Sequence, residues 1–110
     1  MWKPIAESEM RVVLDEEIAR LDELSRPTWK KYKVKLQQLP CEREGYERES
    51  IYIVARHENQ VVLFDDRKEQ FGVGKLEEDG VIRKWSLYGE KLGWALRHFP
   101  WGHKPPAAEE

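Results

Sequence analysis

The side chains with catalytic potential in this sequence are few and scattered. Histidine occurs at positions 57, 98 and 103, and no two of these are four residues apart on one predicted helix. That spacing is the usual signature of a helical zinc site. Cys41 is the single cysteine, and no neighbouring pattern marks it as a nucleophile. The sequence therefore predicts no metal site and no cofactor.

Two adjacent carboxylates, Asp65 and Asp66, follow an apolar run, with Glu69 close behind. Carboxylates at the end of a strand can act as a general acid or bind a cation, so this pair is the candidate for an enzyme site. Aspartate is also a common turn former, and that structural role explains the pair without catalysis. We expect the chain not to be an enzyme and keep a carboxylate site as an alternative.

The segment Phe71-Gly72-Val73-Gly74-Lys75 superficially resembles a phosphate-binding loop. It lacks the required spacing of its glycines, and Leu76 stands where a hydroxyl side chain is needed. We expect the two glycines to mark a bulge or a close approach of two backbones in a sheet.

The segment Trp29-Lys30-Lys31-Tyr32-Lys33-Val34-Lys35 interleaves lysines with aromatic residues. Lysines can contact phosphates while aromatic rings stack on bases. The candidate residues for polyanion contact are Lys30, Lys31, Lys33 and Lys35. Residues 7–24, however, contain seven acidic side chains against two arginines, and the net charge of the whole chain is −2. Nucleic-acid binding is therefore an alternative, and a solvated strand face is the simpler interpretation.

A second basic region, residues 81–104, contains five lysines or arginines and one glutamate. A helix predicted over residues 88–98 turns Trp94 about 200° from Leu92 and away from the apolar stripe. Tryptophan and arginine are enriched in binding hot spots. The candidate residues for binding a protein partner are Lys91, Trp94, Arg97 and Trp101. In the competing interpretation, the chain itself covers Trp94 as part of the core.

A β-sheet centred on residues 50–74 must position these candidates. The apolar runs 51–55 and 61–64 are separated by a polar break and predict a hairpin that leads into a third strand near Phe71. Both faces of the hairpin are apolar, so we expect both to be covered. Asp79-Gly80 predicts a turn into a fourth strand.

The remaining segments are predicted to cover this sheet. Helical spacing of apolar residues predicts a helix over residues 9–24 with Ser8 as its N-cap, ended by Ser25-Arg26-Pro27. Alternation predicts an edge strand over residues 29–36, with Tyr32, Val34 and Leu36 on one face, and high charge predicts a surface loop over residues 40–49.

The predicted fold class is therefore α+β. It comprises an N-terminal helix, a short edge strand, an antiparallel β-meander of about four strands and a C-terminal helix. We assign residues 1–104 to a single domain and residues 105–110 to a flexible C-terminal tail.

The composition of the 110 residues supports a folded domain with one core, since 40% are hydrophobic and five are tryptophan. No apolar run approaches the roughly 18 residues of a membrane span, and the N-terminal residues do not resemble a signal peptide. The lone cysteine fits a reducing compartment. We expect a cytoplasmic protein that does not bind membranes.

The run VVLFDDRKEQFGVGKLEEDGVIRKWSLYGEKLGWAL, residues 61–96, resembles small bacterial proteins of uncharacterised function. Those proteins combine an apolar strand, an Asp-Asp pair and a Phe-Gly segment with a C-terminal helix. In general shape the chain is also similar to compact α+β immunity proteins, which neutralise bacterial toxins. The likeness to immunity proteins implies a binding role. We therefore expect a non-catalytic interaction domain that binds a protein partner or associates with itself as a homodimer.

Overall fold

The computed structural model describes residues 4–42 and 48–100. In chain order their elements are α1 (Glu7–Ala19), α2 (Arg26–Tyr32), β1 (Lys33–Glu42), β2 (Arg48–His57), β3 (Gln60–Asp65), β4 (Gln70–Leu76), β5 (Ile82–Gly89) and α3 (Leu92–Leu96). Helices at the two ends of the chain thus flank a run of five strands. This architecture confirms the predicted α+β class.

The five strands form an antiparallel meander, in which each strand pairs with the next along the chain. β1 and β5 run parallel, and in the described part of the chain they pair only at Cys41 and Ile82, which closes the sheet into a barrel. Beside this closure, Arg83 Nε donates to Glu42 Oε1 at 2.8 Å. The predicted turn at Asp79-Gly80 connects β4 to β5, and Gly80 has a φ of 83°.

Apolar side chains form two clusters, one on each face of the sheet. The cluster inside the barrel contains Cys41, Ile51, Ile53, Val61, Leu63 and Ile82. The cluster between the barrel and the helices includes Tyr52, Val54, Val62 and Phe64 from the sheet and Met10, Leu14, Trp29, Leu92 and Leu96 from the helices. Alternate residues of the central hairpin therefore enter different clusters, which confirms the prediction that both faces are covered.

Gly72 and Gly74 of β4 let the neighbouring strands approach β4 closely inside the barrel. A Cβ atom on Gly74 would lie 2.9 Å from Trp85 Cβ and 3.0 Å from Leu63 Cδ2. A Cβ atom on Gly72 would overlap the carbonyl oxygen of Ser86. The prediction of a close backbone approach at these glycines is confirmed.

Helix α1 differs from its prediction at both ends. Its N-cap is Ala6, whose N–H donates to Glu9 Oε1 at 3.3 Å, so the prediction of Ser8 as N-cap was wrong. The helix ends at Ala19, because the backbone then turns and Asp22 Oδ1 accepts a hydrogen bond from the N–H of Ser25 at 2.8 Å. The helical spacing of apolar residues thus extended beyond the helix itself.

The predicted strand over residues 29–36 was wrong in its first half, where residues 26–32 form α2. Pro27 lies in the first turn of this helix, where its missing N–H removes no intrahelical hydrogen bond. Helix formation turns Trp29 towards the core, and the side chain is only 7% exposed. We expected Pro27 to end the first helix, but it lies in the first turn of α2.

The second half of that prediction needs a smaller correction. β1 begins at Lys33, but its pairing with β2 shifts register between Lys33 and Gln37. Val34 consequently packs against the cluster inside the barrel, while Leu36 belongs to the cluster under the helices. The two side chains do not share a face, because a register irregularity interrupts strict alternation.

The predicted surface loop over residues 40–49 was wrong at both ends. β1 extends to Glu42, and Pro40 pairs with Ser50. Cys41 is fully buried inside the barrel, with Leu39 packed against the same cluster. Leu39 and Cys41 are two residues apart and continue the strand alternation, which the surrounding charges obscured. The centre of the predicted loop, residues 43–47, lies outside the described residues.

Helix α3 is shorter than the predicted span of residues 88–98. Tyr88 and Gly89 end β5, and Gly89 has a φ of 110°, a backbone conformation that favours glycine. The predicted C-terminal tail, residues 105–110, lies outside the described residues.

Candidate functional site

Helix α3 separates buried and exposed side chains sharply over five residues. Leu92 and Ala95 are fully buried and Leu96 is 3% exposed, whereas Trp94 is 41% exposed. Trp94 therefore points away from the core, as the helical wheel predicted. Trp101, the second tryptophan of the predicted binding surface, lies outside the described residues. We call Lys91, Trp94 and Arg97 the Trp94 surface.

The indole of Trp94 lies directly on the backbone of Gly89. A Cβ atom on Gly89 would overlap the benzo ring of Trp94, so only glycine leaves space for the indole here. Lys91 Nζ lies 5.8 Å from the centre of the Trp94 ring, within the range of a cation–π interaction. The indole thus has one face supported by the protein and a large part of its area in solvent.

Arg97, one helical turn after Trp94, forms an ion pair with the loop that follows α1. Its Nη2 donates to Asp22 Oδ2 at 2.9 Å. This hydrogen bond, together with the one from the backbone N–H of Ser25, lowers the pKa of Asp22 to about 2. Asp22 therefore stays ionised at neutral pH, and its ion pair with Arg97 lies at the surface with both side chains about half exposed.

The amino end of α3 is held by α1. Glu17 Oε1 accepts a hydrogen bond from the backbone N–H of Leu92 at 3.0 Å, and Glu17 Oε2 accepts one from Arg20 Nη1 at 3.4 Å. A carboxylate is favourable at this position because the first N–H groups of a helix have no intrahelical acceptor. Glu17 thus links two segments that are 75 residues apart in sequence.

These contacts enclose a cleft of about 260 Å³ between α1, the loop after it and α3. It is lined by Glu17, Arg20, Leu21, Asp22, Lys91, Gly93, Trp94 and Arg97. The lining combines three cations, two anions and the apolar surfaces of Leu21 and Trp94. This composition suits the edge of a protein contact with an aromatic anchor and charged groups around it.

The four candidate lysines occupy the junction of α2 and β1. Lys30 and Lys31 lie on α2, Lys33 and Lys35 lie on β1, and all four are exposed. None of them forms an ion pair within residues 4–42 and 48–100. The structure therefore brings them together as an uncompensated basic surface, which we call the lysine surface.

The aromatic residues next to these lysines are less exposed to solvent than the lysines are. Trp29 is 7% exposed, and Tyr32 packs edge-on against Phe99 with ring centres 5.5 Å apart and against His57 at 4.9 Å. Base stacking on single-stranded nucleic acid needs exposed ring faces. The lysine surface thus offers charge without the stacking surface that the sequence pattern suggested.

Asp65 and Asp66 accept hydrogen bonds that hold the surrounding chain. Asp65 is buried, and its carboxylate accepts from the backbone N–H of Arg67 at 3.0 Å and from Trp85 Nε1 at 3.3 Å. Asp66 Oδ2 accepts from the N–H of Ile5 at 2.9 Å. These bonds give both residues structural roles in a turn and in anchoring the N-terminal segment. Asp66 also lines an open groove with Ile5.

The two described histidines, His57 and His98, contact different aromatic side chains. His57 contacts Tyr32, and His98 stacks on Tyr88 with ring centres 4.0 Å apart, while His103 lies outside the described residues. The described part of the chain contains no group of three histidine, cysteine or carboxylate side chains suited to a metal ion. Within the same part, no helix has the length and apolar character needed to cross a membrane.

Sequence reasoning missed the residues that build the surroundings of Trp94. Glu17 and Asp22 were counted only among the seven acidic side chains of residues 7–24, and Gly89 was placed inside a helix. Their roles depend on contacts between α1 and α3, which no local pattern encodes. One available signal was Gly89, because a glycine between a strand pattern and a helix pattern often marks a boundary.

Comparison with protein-family models, with curated proteins and with solved structures finds no match for this chain.

Proposed function

We propose that this chain is a non-catalytic binding domain that recognises a protein partner through the Trp94 surface. The observation that carries the proposal is the position of Trp94, 41% exposed yet supported by the backbone of Gly89. A large side chain that is already fixed loses little conformational entropy on binding, so it is a favourable anchor. Tryptophan is also the residue most typical of binding hot spots.

The neighbouring charges support the same proposal. Arg97 is fixed by Asp22, and Lys91 lies near the indole, so cations surround the aromatic anchor in a defined arrangement. Fixed charges around an apolar centre contribute orientation and selectivity in protein recognition. A partner with an apolar pocket and acidic groups at its edge fits this surface. Such a partner would suit an immunity-like role or a self-complementary homodimer, and a lone cysteine fits action in the cytoplasm.

The test compares Trp94→Ala with Val12→Ala. Val12 is 56% exposed on α1, so its truncation removes an exposed apolar side chain away from the Trp94 surface. Light scattering after size exclusion first determines whether the wild-type chain associates with itself. Affinity capture from the cells that produce the chain then identifies other partners, and titration calorimetry measures their affinity.

We expect Trp94→Ala to weaken the association by about 2 kcal/mol, or roughly thirtyfold in Kd, and Val12→Ala to leave it unchanged. Circular dichroism and thermal unfolding of both variants verify that the fold is retained. Equal affinity of Trp94→Ala and the wild type for every detected partner would refute this surface, as would a complete lack of association.

A further inference from the structure

Within the residues that the structure describes, one edge of strand β1 is unpaired along most of its length. On one side it pairs with β2, and on the other its only pairing in the described residues is between Cys41 and Ile82. Residues 34–40, which precede that pair, make no further backbone–backbone hydrogen bonds with the described chain. We call residues 34–40 the free edge. Because backbone groups of a strand alternate in direction, part of those on the free edge point to solvent.

The apolar side chains of the free edge are also incompletely covered. Val34 and Leu39 pack against the cluster inside the barrel but remain half-buried. The cluster members from β2 and β3, by contrast, are at most 1% exposed, as Ile53 and Val61 illustrate. The barrel therefore leaves both hydrogen-bonding groups and apolar area uncovered along the same seven residues. An added strand covers both at once.

The charge at this edge is basic and forms no ion pair within residues 4–42 and 48–100. Lys33 and Lys35 lie two residues apart, and their exposed side chains extend the basic surface formed by Lys30 and Lys31 on α2. Five arginines, by contrast, form ion pairs with carboxylates: Arg11, Arg20, Arg67, Arg83 and Arg97. Lysines on an edge protect against unspecific strand pairing, and they simultaneously favour a strand of opposite charge.

We propose that the free edge of β1 binds an extended acidic peptide as an added β-strand. The backbone groups of residues 34–40 form the main-chain hydrogen bonds, and Lys33 and Lys35 pair with carboxylates at alternate positions of the peptide. This site is separate from the Trp94 surface and uses different chemistry. It assigns a ligand class to the lysine surface.

The observations favour a peptide over a nucleic acid for two reasons. Unpaired strand groups match the regular donors and acceptors of an extended main chain, which a sugar-phosphate backbone lacks. The aromatic rings needed for base stacking are only partly accessible, since Trp29 is buried and the half-buried Tyr32 packs against Phe99. Nucleic-acid binding is therefore the competing outcome of the test.

The probe is a short capped peptide in which glutamate alternates with valine, titrated against the full chain. Hydrogen exchange measured by NMR reports protection of individual backbone amides. We expect protection at alternate amides within residues 34–39, namely those that point away from β2, since Pro40 has no N–H. A second peptide of the same sequence and charge carries N-methyl groups on all of its amides, so it keeps the electrostatic attraction but cannot donate main-chain hydrogen bonds along either edge.

Binding of the unmodified peptide with loss of binding for the N-methylated peptide supports strand addition. Equal binding of both peptides would overturn it and would leave only unspecific charge attraction. Tighter binding of single-stranded oligothymidine than of the peptide would overturn the ligand class. Protection of residues 34–39 that grows with protein concentration in the absence of peptide would assign the edge to a second copy of this chain and also overturn the proposal.

Charge reversal tests the role of the lysines. The double variant Lys33→Glu/Lys35→Glu should weaken peptide binding about tenfold, because two exposed attractions become repulsions. Lys68→Glu is the control, since Lys68 is exposed in the turn after β3. In the described residues its backbone N–H donates to Asp65, and its side chain forms no ion pair. Equal weakening by Lys68→Glu and by the double variant would contradict a local role for Lys33 and Lys35.

Discussion

At the scale of single residues, packing depends on a few side chains whose environment differs from what their type suggests. Trp94 has a large apolar side chain that is 41% exposed. Trp29, which the sequence pattern assigned to an edge strand, is buried. Asp65 is a carboxylate buried in a turn. Trp94 packs on the backbone of Gly89, and Asp65 accepts hydrogen bonds from Arg67 and from Trp85. Substitutions of Gly74 and of Asp22 test two further contacts of single residues.

Gly74 provides a direct test of close packing inside the barrel. Gly74→Ala should destabilise the fold by about 1–3 kcal/mol, because the new Cβ would lie 2.9 Å from Trp85 Cβ and 3.0 Å from the Lys84 carbonyl oxygen. Urea denaturation measures the loss. Gly93→Ala is the matched control, since its Cβ would meet nothing nearer than 3.6 Å. An equal effect of both substitutions would contradict the packing argument.

The ion pair between Asp22 and Arg97 should make stability depend on pH. The pKa of Asp22 is lowered from 3.8 to about 2 in the folded chain, so the ionised carboxylate favours the fold. This contribution is present above a pH of about 4 and is lost as the pH falls towards about 2. We therefore expect Asp22→Asn to be less stable than the wild type at neutral pH, with a difference that vanishes near pH 2.

Urea midpoints measured across this pH range test the prediction for Asp22. Asp15→Asn removes an exposed carboxylate from the same segment without removing an ion pair in the described structure, so it serves as the control. A stability difference between the wild type and Asp22→Asn that stays constant with pH would contradict a role for the ionised carboxylate.

At the scale of secondary-structure elements, the short helix α3 depends on its neighbours. Five residues are too few for a stable helix in isolation, because nucleation costs more than so few hydrogen bonds return. Burial of Leu92, Ala95 and Leu96 against the barrel and the hydrogen bond from Leu92 N–H to Glu17 together stabilise it. The position of Trp94 therefore depends on α1 as well as on α3.

Glu17 is the residue that tests this dependence. Glu17→Ala should cost about 1–2 kcal/mol, since it leaves the N–H of Leu92 without its carboxylate acceptor. Glu17→Gln keeps a carbonyl oxygen at the same reach and should recover much of that loss. Urea denaturation gives the free energies, and hydrogen exchange of the Leu92 amide reports the local effect. An unchanged exchange rate in Glu17→Ala would show that this bond does not hold α3.

At the scale of the whole molecule, the barrel has one well-covered part and one open part. The central strands β2, β3 and β4 are apolar on both faces and lie between the inner cluster and the helices. β1 and β5, at the two ends of the meander, meet only at Cys41 and Ile82 in the described residues. The lysine surface and the Trp94 surface both belong to the elements next to these two end strands. Both proposed binding sites thus lie near the two ends of the meander.

The sequence by itself determined the central sheet, because the pattern that specifies it is local. Residues 51–55 and 61–64 are apolar on both faces, and Asp79-Gly80 favours a turn wherever it occurs in a chain. Leu92 and Leu96 on one side of α3 and Trp94 on another follow from helical geometry alone. These features needed no information about distant residues.

Tertiary structure decided the remaining features, since each depends on energies that arise between distant segments. Residues 29–32 alternate like a strand, but burial of Trp29 and a helix start at Pro27 make them helical. Cys41 meets Ile82 only when five strands curve into a barrel. Glu17 and Asp22 are unremarkable acids in sequence, and their hydrogen bonds to Leu92 and Arg97 exist only once α1 and α3 pack on the same face of the sheet.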